Sequence, residues 1–136
     1  LTAPRPSPPP SLRHLALNVR DLAACEKFYV GLLGLRVDWR PDADNLYLTS
    51  GDDNLALHRA REGALNRQAQ PLDHFGFVLD APEQVDAWHA WLRDRGVAIK
   101  AAPRDHRDGS RSFYCLDPDG NTVQFIFLPA RAQNDA

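Results

Sequence analysis

The sequence predicts an α+β domain built from two βαβββ modules. Three observations lead there. Short stretches that alternate apolar and polar residues are interrupted twice by an amphipathic helical stretch. The order strand, helix, three strands occurs twice, about 60 residues apart, as two copies of one supersecondary unit would. The last two strands are joined by "DPDG", residues 117–120, a strong turn.

The first module begins with "RHLALNV", 13–19. Leu15, Leu17 and Val19 face one way; His14, Ala16 and Asn18 face the other, which is the pattern of a half-buried strand. Asp21 can cap a helix over 22–33 that buries Leu22, Cys25, Phe28, Tyr29 and Leu32, with Gly34 as its stop. "LRVDWR" (35–40), "NLYLTS" (45–50) and "NLALHRA" (54–60) follow as a three-stranded meander, separated by "RPDAD" and "GDD".

The second module repeats this order. "DHFGFVLD" (73–80) is a strand with Phe75, Phe77 and Leu79 on one face and His74, Gly76 and Val78 on the other. Asp80 and Glu83 have capping-box spacing, with Pro82 in the first turn. The helix they start runs to about Arg95 with Val85, Trp88, Trp91 and Leu92 buried, and Gly96 ends it. "VAIKAA", "SRSFYCL" and "NTVQFIFL" complete the module as strands. The domain spans 12–129, with modules 12–60 and 72–129. Residues 1–11, five of them proline, form an extended arm; 61–71 is a polar linker and 130–136 a tail.

Composition limits the function. Hydrophobic content of 43% and charged content of 25% are those of a globular domain. A net charge of −2 with interspersed signs points away from nucleic acid. No apolar run approaches the roughly 20 residues of a membrane helix. The proline-rich start has no apolar core of a signal peptide. Cys25 and Cys115 sit in apolar patterns, as reduced buried thiols do, so the expected compartment is the cytoplasm.

The face of each sheet away from its helix carries His14, Asn18, Asn54, His58, His74, Thr122 and Gln124. Two such faces curling toward one another would make a polar cleft. Gln124, between Val123 and Phe125, poses the sharpest question, because a buried amide without partners costs about 1–3 kcal/mol.

"HLALNV" followed by "DL" at the start of the first module, "DHFGF" at the start of the second and "DPDGN" leading into "TVQF" at its end together resemble the vicinal oxygen chelate superfamily. That group includes glyoxalase I, extradiol dioxygenases, fosfomycin-resistance thiol transferases and bleomycin-binding proteins. The resemblance covers 12–129 and implies a glyoxalase-like cleft that holds a divalent ion, with ligands from the first and last strands of each module. His14 and His74 match the first-strand ligands. Gln124 stands where catalytic members place Glu, and Ala56 where glyoxalase I places another. The resemblance also implies a homodimer, each cleft often built from modules of both subunits, and unpaired sheet edges favour the same assembly.

His14, His74 and Gln124 are therefore the expected ligands of Zn, Mn, Ni or Fe. All three are neutral, which leaves the ion's charge uncompensated and counts against Fe(II) extradiol chemistry, whose triad includes a carboxylate. A metal-free polar pocket is the competing reading. His58 is a candidate base or a solvated strand end beside Arg59. Tyr114 is a candidate proton donor or a packing residue.

"SRSFYCLDPDG" is similar to fosfomycin-resistance enzymes, in which the equivalents of Ser112 and Tyr114 contact the phosphonate, although Ala16 replaces a threonine. Asn18 and Arg104 join Ser112 and Tyr114 as candidate substrate contacts. Arg107 and Arg111 either bind an anion with Arg104 or solvate their loop. His106 is a candidate acid or base in a charged loop, with a surface role favoured, and His89 has a structural role. The expected function is a metal-assisted lyase, isomerase or transferase on a small oxygen-rich molecule. The alternatives are a metal-free drug-binding protein of the bleomycin-resistance type and a thiol transferase of the fosfomycin-resistance type.

Overall fold

The computed structural model describes residues 11–61 and 72–129. The expected tail over 130–136 lies outside them. So do the arm, apart from Ser11, and the linker, apart from Arg61. Both βαβββ modules are present. In the first, β1 (His14–Val19), α1 (Leu22–Glu26), β2 (Arg36–Asp42), β3 (Asn45–Thr49) and β4 (Asn54–Arg59) form a sheet of order β1-β4-β3-β2. In the second, β5 (Phe75–Leu79), α2 (Pro82–Asp94), β6 (Ile99–Asp105), β7 (Arg111–Leu116) and β8 (Thr122–Phe127) form β5-β8-β7-β6. The first strand of each module pairs parallel with its last; the meander strands pair antiparallel. The helix supplies the crossover that a parallel pair requires.

The first helix departs from expectation. Asp21 caps it, accepting from Ala24 N at 2.9 Å, and Gly34 follows it with φ 85°. Past Glu26, however, the chain widens into a π-helical turn over Lys27–Leu32, with Leu33 N bonded to Phe28 O. Phe28 and Tyr29 both reach the core as expected, packed edge to face at 4.9 Å.

The second helix also begins differently. Its N-cap is Ala81, and Gln84 rather than Glu83 reaches back, its Oε1 accepting from Asp80 N and Ala81 N. Pro82 occupies the first turn as expected. Trp91 is half-exposed rather than buried: its Nε1 donates to Leu32 O and the Arg95 guanidinium lies 3.0 Å from its ring centre. Trp88 does pack inward, against Phe125.

The helix-covered faces of both sheets share one apolar cluster, from Leu17, Val19 and Leu57 through Tyr29 to Phe113, Val123 and Phe125. Polar bonds join the modules around it. Tyr29 Oη donates to Asp117 Oδ2 at 2.8 Å, and Arg20 N donates to Asp119 Oδ1 at 3.0 Å. The "DPDG" turn thus clamps one module to the other. Cys25 and Cys115 are free and buried, and desolvation pushes each thiol up to about 12. The polar faces of the sheets lie on the sides away from the shared core. No described helix is long and apolar enough to cross a membrane.

Candidate functional site

On the first sheet, register decides which polar residues meet. His14 lies opposite Asn54, and its Nδ1 is 2.7 Å from Asn54 Oδ1. His58 lies opposite Asn18 on one side and Asn45 on the other, and its Nδ1 is 2.6 Å from Asn45 Oδ1. In the second module His74, just before β5, brings its Nδ1 to 2.6 Å from Asp73 Oδ2. That contact holds the Asp73 carboxyl below the usual carboxylate range. Each partner is an oxygen, so in the neutral imidazole the bond favours the tautomer with its proton on Nδ1 and the lone pair on Nε2. An outer-shell oxygen fixing the tautomer in this way is the common arrangement around metal-binding histidines.

His14 and His74 border one cleft of about 430 Å³ between the modules, together with Asn54, Leu72, Phe75 and Gly76. Gln124 and Tyr114 do not line it; they sit on the open face of the second sheet. There Gln124 Nε2 donates to Tyr114 Oη at 3.0 Å, its neighbour across β7 and β8. The His74 ring meets the Tyr114 ring edge to face at 5.3 Å. Gln124 therefore has a partner within the chain, and its Oε1 is left to accept. Since Tyr114 Oη receives that N–H, its own O–H is free to donate elsewhere.

Gly76 is the residue that sequence reasoning passed over. It pairs with Gln124, and a Cβ there would stand 2.9 Å from Gln124 O and 3.4 Å from its Oε1. The available signal was a glycine inside a strand, which often marks close backbone approach. Gly76→Ala is expected to force β5 and β8 apart and lower stability by about 1–3 kcal/mol in urea unfolding. Unchanged stability would mean that the strands part there without penalty.

Three expectations change. His106 is not a surface residue: half-buried, its Nε2 lies 2.8 Å from Ser112 Oγ. The backbone bonds His106 N to Ser110 O and Gly109 N to His106 O hold the hairpin that places it. Ser112 is accordingly buried beneath this histidine instead of facing an open cleft. Arg111 is not available to an anion, because it pairs through two bonds with Asp86 (3.0 and 2.7 Å) and once more with Asp105 (3.0 Å). Arg104 is exposed opposite Ser112, Arg107 and Asn18 are exposed, and His89 packs on Phe113 in a structural role.

Among the described residues no three His, Cys, Asp or Glu side chains gather as a metal site. The donor set present is two oriented imidazoles at one cleft plus an amide on the neighbouring face. The two imidazoles suit an ion held by nitrogen, while the Gln124 amide does not line their cleft.

Comparison with known sequences agrees with this architecture. The sequence profile of the Glyoxalase/Bleomycin resistance protein/Dioxygenase superfamily matches residues 11–125. The chain belongs to this superfamily. Among curated relatives of this superfamily, the chain is 34% identical over 118 residues to glutathione transferase FosA of Serratia marcescens, covering 84% of this chain and 78% of that protein. It is 32% identical over 126 residues to the uncharacterized protein PA2024 of Pseudomonas aeruginosa, covering 87% and 89%. Among solved superfamily structures, lactoylglutathione lyase from Agrobacterium tumefaciens superposes with a TM-score of 0.75 at 26% identity, covering 89% and 96%.

Proposed function

We propose that this superfamily member is a metal-assisted enzyme acting on a small oxygen-rich molecule as a lyase, isomerase or transferase. The observation that carries this reading is the placement of His14 and His74: both border one cleft, and each has an oxygen partner at Nδ1 that favours leaving Nε2 as the free nitrogen. These two residues and Gln124 would hold Zn, Mn, Ni or Fe. When bound, such an ion stabilises negative charge developing on a substrate oxygen. Tyr114, with its O–H unspent, donates a hydrogen bond to a substrate oxygen. His58 accepts or returns a proton at Nε2. Asn18 and Arg104 contact the substrate's polar ends, and Ser112 joins them once the His106 ring moves aside.

The working form is a homodimer. Gln124 and Tyr114 stand on a different sheet face from the cleft of His14 and His74, and a second copy can bring such faces together. β2 is exposed along its whole length, as are the large side chains Val37 and Trp39, so an edge remains to be covered. The cytoplasm is the proposed compartment, in keeping with the two free thiols.

Two other readings rest on particular residues. The neutral Gln124 and Ala56 favour a metal-free ligand-binding protein of the bleomycin-resistance type. The likeness to FosA and the Ser112–Tyr114 stretch favour a thiol transferase. Elemental analysis of protein purified without chelator or histidine tag, then equilibrated with Zn and Mn, separates the first of these from the enzyme reading. About one ion per chain is expected, with affinity falling about 10–100-fold in Asn54→Ala, which removes the oxygen that holds His14, and further in His14→Ala or His74→Ala. Failure to retain either ion in excess overturns the metal-assisted reading and leaves the ligand-binding protein.

A further inference from the structure

We propose that the groove between the π-helical turn Lys27–Leu32 and the loop after α2 binds the apolar chain of a fatty carboxylate, with Lys27 meeting its head group. This goes beyond the reading above and is independent of it, because none of the residues assigned there to metal or substrate lines this groove.

The groove has a volume of about 530 Å³, within the range of small-molecule sites. Phe28, Leu32, Val97, Leu116 and Pro118 make its walls apolar. Backbone bonds fix those walls without any ligand: Val97 N donates to Leu92 O, and Leu116 N donates to Ala98 O. Trp91 separates the groove from a second apolar hollow beside Ala87 and Trp88, since its Nε1 bridges the two modules by donating to Leu32 O. The bridge breaks the track that a partner's helix would need to lie along. A single chain of methylenes needs one compartment only.

Gly31 is a residue that the fold does not explain. It stands inside the π-helical turn without a positive φ, and an added Cβ would meet nothing within 4 Å. Neither a left-handed backbone nor a close contact calls for glycine, and alanine or leucine would suit a helical segment better. What the glycine does is keep the groove open, which it lines together with Lys27. π-helical turns are themselves rare and recur at functional sites.

Charge selects the head group. Lys27 is exposed and has no carboxylate partner among the described residues. The carboxylates around it are engaged elsewhere: Glu26 pairs with Arg40, Asp94 with Arg93, and buried Asp117 accepts from Tyr29, Asp119 and Asn121. Arg95, beside Gly96 of the groove, lies over the Trp91 ring and adds a second cation. An anionic head at the Lys27 end with its tail along the apolar walls satisfies both features.

NMR titration of ¹⁵N-labelled, chelator-treated protein tests this, so its readout does not depend on metal. The probes are decanoate, butanoate and decyltrimethylammonium, each below its micelle-forming concentration. Decanoate is expected to shift the amides of Gly31, Val97 and Leu116, and to bind at least about tenfold more tightly than butanoate. It should also bind at least about threefold more tightly than decyltrimethylammonium. Lys27→Glu should weaken decanoate about fivefold and leave decyltrimethylammonium no weaker. Gly31→Leu should weaken decanoate about tenfold while unfolding at no lower urea concentration than wild type, because its side chain enters open space. Decanoate shifts confined to the His14 and His74 cleft, equal affinity for the two ten-carbon probes, or decanoate affinity unchanged in both variants overturns the proposal. So does a Gly31→Leu variant whose mass by light scattering halves while decanoate affinity stays the same, because the groove is then a contact between chains.

Discussion

Gln124→Glu should raise metal affinity about tenfold or more. The substitution keeps the side-chain shape and places a negative charge where the protein has a neutral amide. A gain of about 1.4 kcal/mol is enough for a tenfold change, and an anionic oxygen beside a divalent ion can supply it. The surroundings accept the change. In the native protein Gln124 Nε2 donates to Tyr114 Oη; with a carboxylate the bond reverses and the tyrosine donates. Glu matches Gln in size, so the close approach of Gly76 to this residue is kept. Gln124→Ala should lower affinity without unfolding the chain, because Val123 and Phe125, on the opposite face of β8, hold it to the core. Titration of the three proteins with Zn and Mn measures this. Equal affinities in all three would show that Gln124 is no ligand and that its bond to Tyr114 serves an organic molecule or the fold.

The largest loss of stability should follow Asp117→Ala. Asp117 is buried and accepts from Tyr29 Oη (2.8 Å), Asp119 N (2.9 Å), Asn121 N (2.8 Å) and Asn121 Nδ2 (3.0 Å). Removing the carboxylate leaves the Tyr29 hydroxyl without this partner in a fully buried position and frees the turn that leads into β8. A loss of about 3 kcal/mol is expected, since bonds to a charged acceptor contribute more than neutral ones and an abandoned buried donor adds its own penalty. Tyr29→Phe removes the donor as well as the bond and leaves Asp117 its other three, so it should cost about 1 kcal/mol. Urea unfolding compares the two. A Tyr29→Phe loss equal to or larger than that of Asp117→Ala would mean that the turn holds itself and that the clamp between modules is the tyrosine's packing.

The sequence by itself determined the two modules, the order of their strands and helices, and which face of each strand is polar. These depend on local period and turn chemistry: alternation in "RHLALNV", Asp21 and Gly34 at the ends of the first helix, Pro82 and Gly96 at the ends of the second, "DPDG" before the last strand. Each signal lies within a few residues of the structure it specifies. Tertiary structure alone decided the π-helical turn over Lys27–Leu32, the clamp of Tyr29 on Asp117, the reach of His106 onto Ser112 and the pairing of Arg111 with Asp86. It also decided what Gln124 does, because its neighbours Tyr114 and Gly76 come from two other strands. Contacts of this kind are set by register between segments distant in the chain, where one residue of slip exchanges the two faces of a strand. A single sequence carries no local mark of that register.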